Sequence, residues 1–265
     1  MRKILLTGGS GFIGKNILES CLAEKYEIIA PRHKELDVAD TESVDRFFSN
    51  HKIDYVIHAA VKPGHRNAPD LSNLFLTNTR MFFNLERHSS DYEKMIVIGS
   101  GAIYDGTKYR PKMSEEEWLK YIPEDEHGYC KYVCEKVIQN SCNIYDLRVF
   151  GIFGKYEDYA IRFISNAICK AIFDLPITIR QNRKFDYIYV NDLIPVLDWF
   201  IQHTPLHHSY NITPDESISL LDLAKIVRKV ADKNELPIQI AQDGYGFIWR
   251  YIVRMMQGRM LNKPI

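Results

Sequence analysis

Short apolar runs alternate with longer amphipathic stretches along this chain, and that alternation is the first guide to its fold. Ile4-Leu5-Leu6 is an apolar run that ends in Thr7-Gly8-Gly9-Ser10-Gly11. A helical pattern follows, with Ile13, Ile17, Leu18 and Leu22 on one face. A strand is expected from Tyr26 to Ala30, then a helix over 41–50 with Thr41 or Ser43 as its cap. Residues 54–60 (Asp-Tyr-Val-Ile-His-Ala-Ala) form another buried strand, 73–88 a helix, and 94–99 and 144–149 two further strands. Strands alternating with helices at this spacing predict an α/β chain with a Rossmann-type, doubly wound parallel sheet.

The second half of the chain is less regular. A polar insertion at 105–126 carries an acidic helix start, Ser114-Glu115-Glu116-Glu117. A helix is expected over 161–173, a strand at 177–179, a strand at 187–190, a helix over 192–202, a strand from Tyr210 and an amphipathic helix over 220–231. We therefore expect a dinucleotide-binding core at 1–150. A small, discontinuous C-terminal lobe would comprise 151–180 and 205–265, with 181–204 returning to the core.

Composition narrows the classes rather than choosing among them. The 265 residues are 46% hydrophobic, enough for a sizeable core. Thirty-four basic and 34 acidic side chains balance to a formal charge of zero, so no general attraction to nucleic acid or membrane is expected. Five cysteines are an odd number in a chain too long to need staples, which reads as free thiols in a reducing compartment. The first apolar run is too short for a signal peptide, and no run approaches the roughly 18 apolar residues of a membrane span. A cytoplasmic protein with no membrane span is expected, and no metal is implied.

Gly9-Ser10-Gly11-Phe12-Ile13-Gly14 fits G-x-G-x-x-G between a strand and a helix. Glycines there permit a tight turn and let backbone N–H groups approach a pyrophosphate at the helix N-terminus. After the second strand, NAD binders place a carboxylate for the ribose hydroxyls, whereas this chain has Arg32-His33-Lys34. A guanidinium can pair with a 2′-phosphate as a fork, which points to NADP(H), while nearby Glu35 leaves NAD(H) open. Asp37 can accept from the adenine amino group or serve only as a turn carboxylate.

Together these segments resemble the extended short-chain dehydrogenases/reductases, the NAD(P)-dependent nucleotide-sugar epimerase/dehydratase family. Gly8, Ser10, Gly11, Phe12, Ile13 and Gly14 look like its cofactor signature, and Leu36-Asp37-Val38-Ala39-Asp40 like its adenine-side motif. His58-Ala59-Ala60 resembles the strand against the cofactor, and Asn78 the asparagine of the next helix. Gly99-Ser100-Gly101-Ala102-Ile103-Tyr104 resembles the segment with the catalytic serine or threonine, and Tyr187 to Asp192 a later landmark. The segment Ala60-Val61-Lys62-Pro63-Gly64 and the Arg32 turn are most similar to GDP-fucose synthase and related 4-keto sugar reductases. The resemblance spans about 1–232 and implies cofactor contacts from Arg32, Asp37, Val38, Ala59, Ala60, Lys62, Asn78 and Lys131. It also implies a homodimer through two helices, one of them carrying Lys131.

That family works with a Ser/Thr, a Tyr and a Lys, the last two spaced Y-x-x-x-K. The tyrosine moves the hydroxyl proton, and the lysine binds the nicotinamide ribose and lowers the tyrosine pKa. Ser100 and Lys131 fit, and Glu135 matches a glutamate four residues on, but the tyrosine position falls on His127. The second match, Tyr132 to Lys136, lies five residues further and is rotated by roughly 140° at ~100° per residue, away from Ser100. Tyr129 could substitute only if the helix start were distorted. An imidazole can serve as acid or base near neutrality, so an active enzyme, a slow one and a catalytically impaired cofactor binder all remain open.

Gly101 and Ala102 stand where dehydratases of the family carry Asp-Glu, and Ala102 where fucose synthase places a cysteine. Hydride transfer with one proton remains: 4-keto reduction, or an NAD-retaining 4-epimerisation. Gly101, Ala102, Asn166 and Arg183 are the candidate contacts to a nucleotide sugar, with His65, Arg66, Arg110 and Lys184 in loops around the cleft. After Ile238 the usual end of the substrate lobe is missing, and residues 247–256 are aromatic and basic, suited to packing, to an oligomer contact or to a membrane surface.

Overall fold

The computed structural model describes residues 1–64, 68, 70–110 and 112–240. The stretch 247–256 and the loop residues His65 and Arg66 lie outside the described residues. The chain divides into two compact units, one of Met1–Asn166 with Phe185–Ile218, the other of Ala167–Lys184 with Ser219–Ile265.

The elements run β1 (Lys3–Thr7), α1 (Phe12–Leu18), α2 (Leu22–Lys25), β2 (Glu27–Ile29), α3 (Thr41–Asn50), β3 (Tyr55–His58), α4 (Leu74–Glu86), β4 (Lys94–Ser100), α5 (Glu126–Ile138), β5 (Ile144–Val149), β6 (Gly151–Phe153) and α6 (Phe163–Ile172). They continue with β7 (Ile177–Ile179), β8 (Lys184–Phe185), β9 (Tyr187–Tyr189), α7 (Val190–Gln202), β10 (Ser209–Ile212), β11 (Ile218–Ser219), α8 (Leu220–Val230) and β12 (Ile238–Ile240).

Six strands of the first unit form one sheet in the order β10-β5-β4-β3-β1-β2. Its neighbours pair in parallel, for example Thr7 with His58 and Ser100 with Val149. Parallel pairing needs a crossover between strands, and helices on both faces then bury the strands, which explains the continuous apolar runs. Side chains alternate between two cores. Leu5, Val56 and Val97 pack with Phe47, Phe82, Leu85 and Ile138 on one face. Ile4, Leu6, Ile57 and Ile96 pack with Ile17, Leu193, Leu197 and Phe200 on the other. This is the α/β Rossmann-type architecture expected. From β1 the chain winds to β2 on one side and then to β3 on the other, so the order switches beside β1. Open α/β sheets bind ligands at the carboxyl ends beside such a switch.

Some local details differ from the sequence reading. Asp40, rather than Thr41 or Ser43, caps α3 by accepting from Glu42 N at 3.1 Å. The Ser43 hydroxyl instead accepts from Asp37 N. The acidic start at 114–117 opens a 3-10 turn, Glu115–Leu119, anchored by buried Trp118 and an ion pair between Arg110 and Glu117. The strand beginning near Tyr210 pairs with β5 in the main sheet, so 205–218 run with the first unit, whereas the sequence pattern grouped them with the lobe.

In the second unit β7 and β12 pair in parallel. Ser219 caps α8 through Asp222 N at 3.1 Å, and α8 buries Ala224 and Val227.

Candidate active site

The turn after β1 is built by close approach of backbone. Gly8 has φ +74°, a left-handed conformation that favours glycine, and a Cβ there would lie 2.7 Å from the carbonyl carbon of Ala59. A Cβ on Gly14 would lie 2.2 Å from the Gly8 carbonyl oxygen, so α1 packs directly on the turn. Gly11 is the N-cap of α1, and no side chain caps it, which leaves the first N–H groups of the helix to a ligand. Ser10 and Gly11 are exposed, and Phe12 and Ile13 half-buried. At the switch, His58 Nδ1 meets Thr7 Oγ1 at 2.8 Å, and the same hydroxyl accepts from Ala60 N at 3.3 Å. These bonds hold Ala59 and Ala60 against Gly8. Burial, reinforced by Lys131, pushes the His58 pKa down to about 3, so this imidazole stays neutral.

Arg32 is exposed, and its side chain has no hydrogen bond or ion pair among the described residues. Its backbone N–H donates to Glu35 Oε2 at 2.7 Å. Asp37 closes a turn by accepting from Ala39 N at 3.0 Å. Val38 is buried, and its carbonyl accepts from Asn84 at 2.9 Å. Asn78 grips the Lys62 peptide, accepting from its N–H at 2.7 Å and donating to its carbonyl at 3.1 Å. The Lys62 ammonium, however, is held by Asp70 at 2.5 Å and by the Ser72 carbonyl at 2.6 Å. Lys62 therefore fixes the loop after β3 with both its ends.

Ser100 ends β4, and its Oγ accepts from Ala102 N at 3.1 Å, leaving its O–H free to donate. A Cβ on Gly128 would come within 2.5 Å of the Ala102 carbonyl, so the first turn of α5 sits against the Ser100 turn. Asp125 caps that helix through Gly128 N at 2.9 Å, and the start of α5 is regular. His127 lies in this first turn, half-buried, close to Gly64, with its Nδ1 buried and unpartnered among the described residues. Burial first and Lys131 second lower its pKa, and Asp125 opposes them. Lys131, one turn along, lines a narrow cleft with His58, Ala60, Asn78, Cys130 and Asp146. Its ammonium makes no ion pair among the described residues. Thus Ser100, His127 and Lys131 come from two elements in direct contact.

Other side chains turn away from this group. Tyr129 stacks on Phe75, and Tyr132 packs on Trp118 while the Lys136 ammonium lies over both Trp118 and Tyr132. The spacing Tyr132 to Lys136 is thus occupied structurally. Gly101 is buried against Phe150, and Ala102 is half-buried. Asn166 donates to the Tyr159 carbonyl at 3.0 Å in the first unit, and Arg183 bonds Gln181 at 2.9 Å in the second.

Beneath the β4 end lies a cluster whose members, Glu135 and Tyr104 among them, the sequence offered only as separate matches and did not bring together. Arg148, fully buried, pairs with Glu135 at 2.6 Å, and Tyr104 accepts from Arg148 at 2.8 Å. Asp146 is buried beside them. A charged pair inside the apolar strand Ile144-Tyr145-Asp146-Leu147-Arg148-Val149 was the available signal.

Residues 4–213 match the sequence model of the NAD dependent epimerase/dehydratase family. The chain is 24% identical over 259 residues to GDP-L-colitose synthase of Yersinia pseudotuberculosis, covering 86% of this chain and 82% of that protein. It is 25% identical over 250 residues to GDP-L-fucose synthase of Sinorhizobium fredii, covering 86% and 80%. Its fold matches that of a GDP-mannoheptose C4 reductase from Campylobacter jejuni with NADP bound, at a TM-score of 0.78 and 18% identity, over 91% of this chain and 87% of the other.

Proposed function

The chain belongs to the NAD dependent epimerase/dehydratase family, and on that premise we propose that it is an NADP(H)-dependent oxidoreductase that reduces the 4-keto group of a nucleotide-linked sugar. The observation that carries this reading is the contact of Gly128 with the Ala102 carbonyl, which seats His127 beside the Ser100 turn with Lys131 one turn behind. Relatives named for GDP-sugar synthesis support the substrate class.

The uncapped start of α1 fits a pyrophosphate, since no side chain among the described residues caps it. Gly8, Ser10, Gly11, Phe12, Ile13 and Gly14 would hold it there. The free Arg32 guanidinium would take the 2′-phosphate, Asp37 and Val38 would meet the adenine, and Ala59 and Ala60 would lie along the middle of the cofactor. Lys62 and Asn78 would act by fixing the loop that follows. When bound, NADPH supplies the hydride. Lys131 would bind the nicotinamide ribose hydroxyls, and the Ser100 O–H would donate to the sugar carbonyl oxygen. His127 would give that oxygen its proton, directly or through a water. Gly101 and Ala102 bring neither an acid nor a thiol to the sugar, which favours reduction over dehydration or epimerisation at other carbons. Asn166 would contact the diphosphate. A cytoplasmic homodimer through two helices, one of them α5, completes the proposal.

The test is NADPH oxidation with nucleotide-linked 4-keto-6-deoxy sugars by wild type, His127→Ala and His127→Tyr. Turnover lost in His127→Ala supports histidine as the working acid. Activity gained only in His127→Tyr means a disabled enzyme. Silence from all three despite NADPH binding rejects the reductase, and NAD retained through purification points to a 4-epimerase instead.

A further inference from the structure

Asp146 stands in a buried parallel strand, between Val97 of β4 and Ser209 of β10 in register. Side-chain alternation turns it toward α5, with Ile144 and Arg148. Room for its carboxyl comes from Gly99, where a Cβ would sit 1.8 Å from Oδ1 and 2.6 Å from Cγ. The Gly99 backbone is not left-handed, so this glycine serves space rather than conformation.

Two carboxyls here share one cation. Arg148 Nη2 bonds Glu135 Oε1 at 2.6 Å, and Ser209 and Gln139 donate to the same oxygen. Asp146 Oδ2 is 3.5 Å from Arg148 Nε, which makes no hydrogen bond. Glu135 Oε2 and Asp146 Oδ1 are both buried without a partner among the described residues. A buried carboxylate left with one distant cation is costly, and protonation removes that cost. The other charged or titratable groups packed around Asp146 are Lys131, Cys130 and Cys134 from α5 and the neutral His58 from β3.

We propose that Asp146 and Glu135 hold one proton between them at neutral pH, which makes Asp146 a positioning residue: a neutral neighbour that leaves the Lys131 ammonium uncompensated and available to a ligand. One proton gives each orphaned carboxyl a partner. Burial first and Glu135 second push the Asp146 carboxyl up to about 8, against the pull of Arg148 and Lys131. The titration belongs to the pair. Above it, the pair gains a second negative charge, Lys131 acquires a counter-ion in the same cleft, and its grip on a ligand weakens. The consequence for Lys131 rests on the cofactor reading above, whereas the shared proton does not.

Two measurements on the full chain decide it. The first is the infrared difference spectrum between wild type and Asp146→Asn, with carbon-13-labelled aspartate, across neutral to alkaline pH. A protonated carboxyl is expected at pH ~7, fading with a midpoint near 8. A signal of ionised carboxylate alone at neutral pH overturns the proposal. The second is the NADPH dissociation constant across the same range. Wild type is expected to weaken by about tenfold from one side of the titration to the other, equivalent to one pKa unit of coupling. Asp146→Asn, whose amide can donate to Glu135 as the shared proton does, should match wild type at neutral pH and stay level above it. A variant that weakens in parallel with wild type shows Asp146 to be merely structural. A protein that binds no NADPH at any pH defeats the cofactor reading, and with it the Lys131 consequence, while the infrared result still decides the proton.

Discussion

At the Gly8–Gly14 turn the contacts are backbone on backbone: Gly14 lies on the Gly8 carbonyl, and Gly8 lies on the Ala59–Ala60 peptide. At the start of α5 they are side chains: His127 against Gly64, Lys131 in a cleft with His58, and a buried cluster of Arg148, Glu135 and Asp146 behind Ser100. The first region tolerates almost no change, because a backbone atom cannot move aside. The second has room to exchange one functional group for another at the same register, which is the role proposed for His127.

The sharpest way to break the comparison is Gly14→Ala. Its methyl would lie 2.2 Å from the Gly8 oxygen and 2.6 Å from Gly9 Cα, neither of which can yield without dismantling the turn. We expect a loss of about 3 kcal/mol, a melting temperature lower by roughly 6–12 °C, and no measurable NADPH binding. Normal binding by a stable variant would show that the turn does not depend on backbone contact.

His127→Ala should leave the fold intact, since the ring makes no hydrogen bond through Nδ1 among the described residues. It should lower kcat for reduction by roughly a hundredfold or more, the usual contribution of a general acid. Unchanged turnover would remove His127 from the chemistry and make the side-chain half of the site as inert as a scaffold.

The pH profile sharpens the same point. Burial and Lys131 lower the His127 pKa below its ordinary 6.5. The form that donates a proton is the imidazolium, whose population falls as pH rises through that lowered pKa. Reduction should therefore be fastest on the acid side of 6.5 and decline by about tenfold per pH unit beyond. In His127→Tyr that limb should move to more alkaline pH, because a phenol titrates above an imidazole even where the Lys131 charge lowers it. A wild-type profile flat from acid to neutral pH would exclude the imidazolium as the donor.

The same contrast explains what could be read in advance. Glycine is demanded by geometry, so G-x-G-x-x-G after an apolar run announced both the turn and the parallel sheet that presents it. The contact of the Ser100 turn with the start of the helix that carries His127 and Lys131 was legible from spacing and family resemblance. Pairings through space were not. Nothing in the pattern says that the Lys62 ammonium is taken by Asp70, that Asp40 rather than Thr41 caps α3, or that Gly99 makes room for Asp146. The insertion at 105–126 was legible as polar and acidic, but its 3-10 turn depends on Trp118 finding a buried seat.

Arg32 tests the comparison from the other side, because it is a side chain serving the region made of backbone. It follows the second strand, is exposed, and its guanidinium meets no partner among the described residues, while Glu35 is engaged with the Arg32 backbone N–H at 2.7 Å. A guanidinium without a partner there is a good fork for a phosphate. Arg32→Ala should thus weaken NADPH binding by about tenfold, a charge-assisted contact of roughly 1.4 kcal/mol at an exposed site, and leave NADH binding unchanged. Melting temperature should not move, since the side chain supports nothing else. Equal loss of both cofactors would mean that Arg32 holds the turn rather than the phosphate. No loss of either would make it a solvated charge and return the choice between the two cofactors to Glu35.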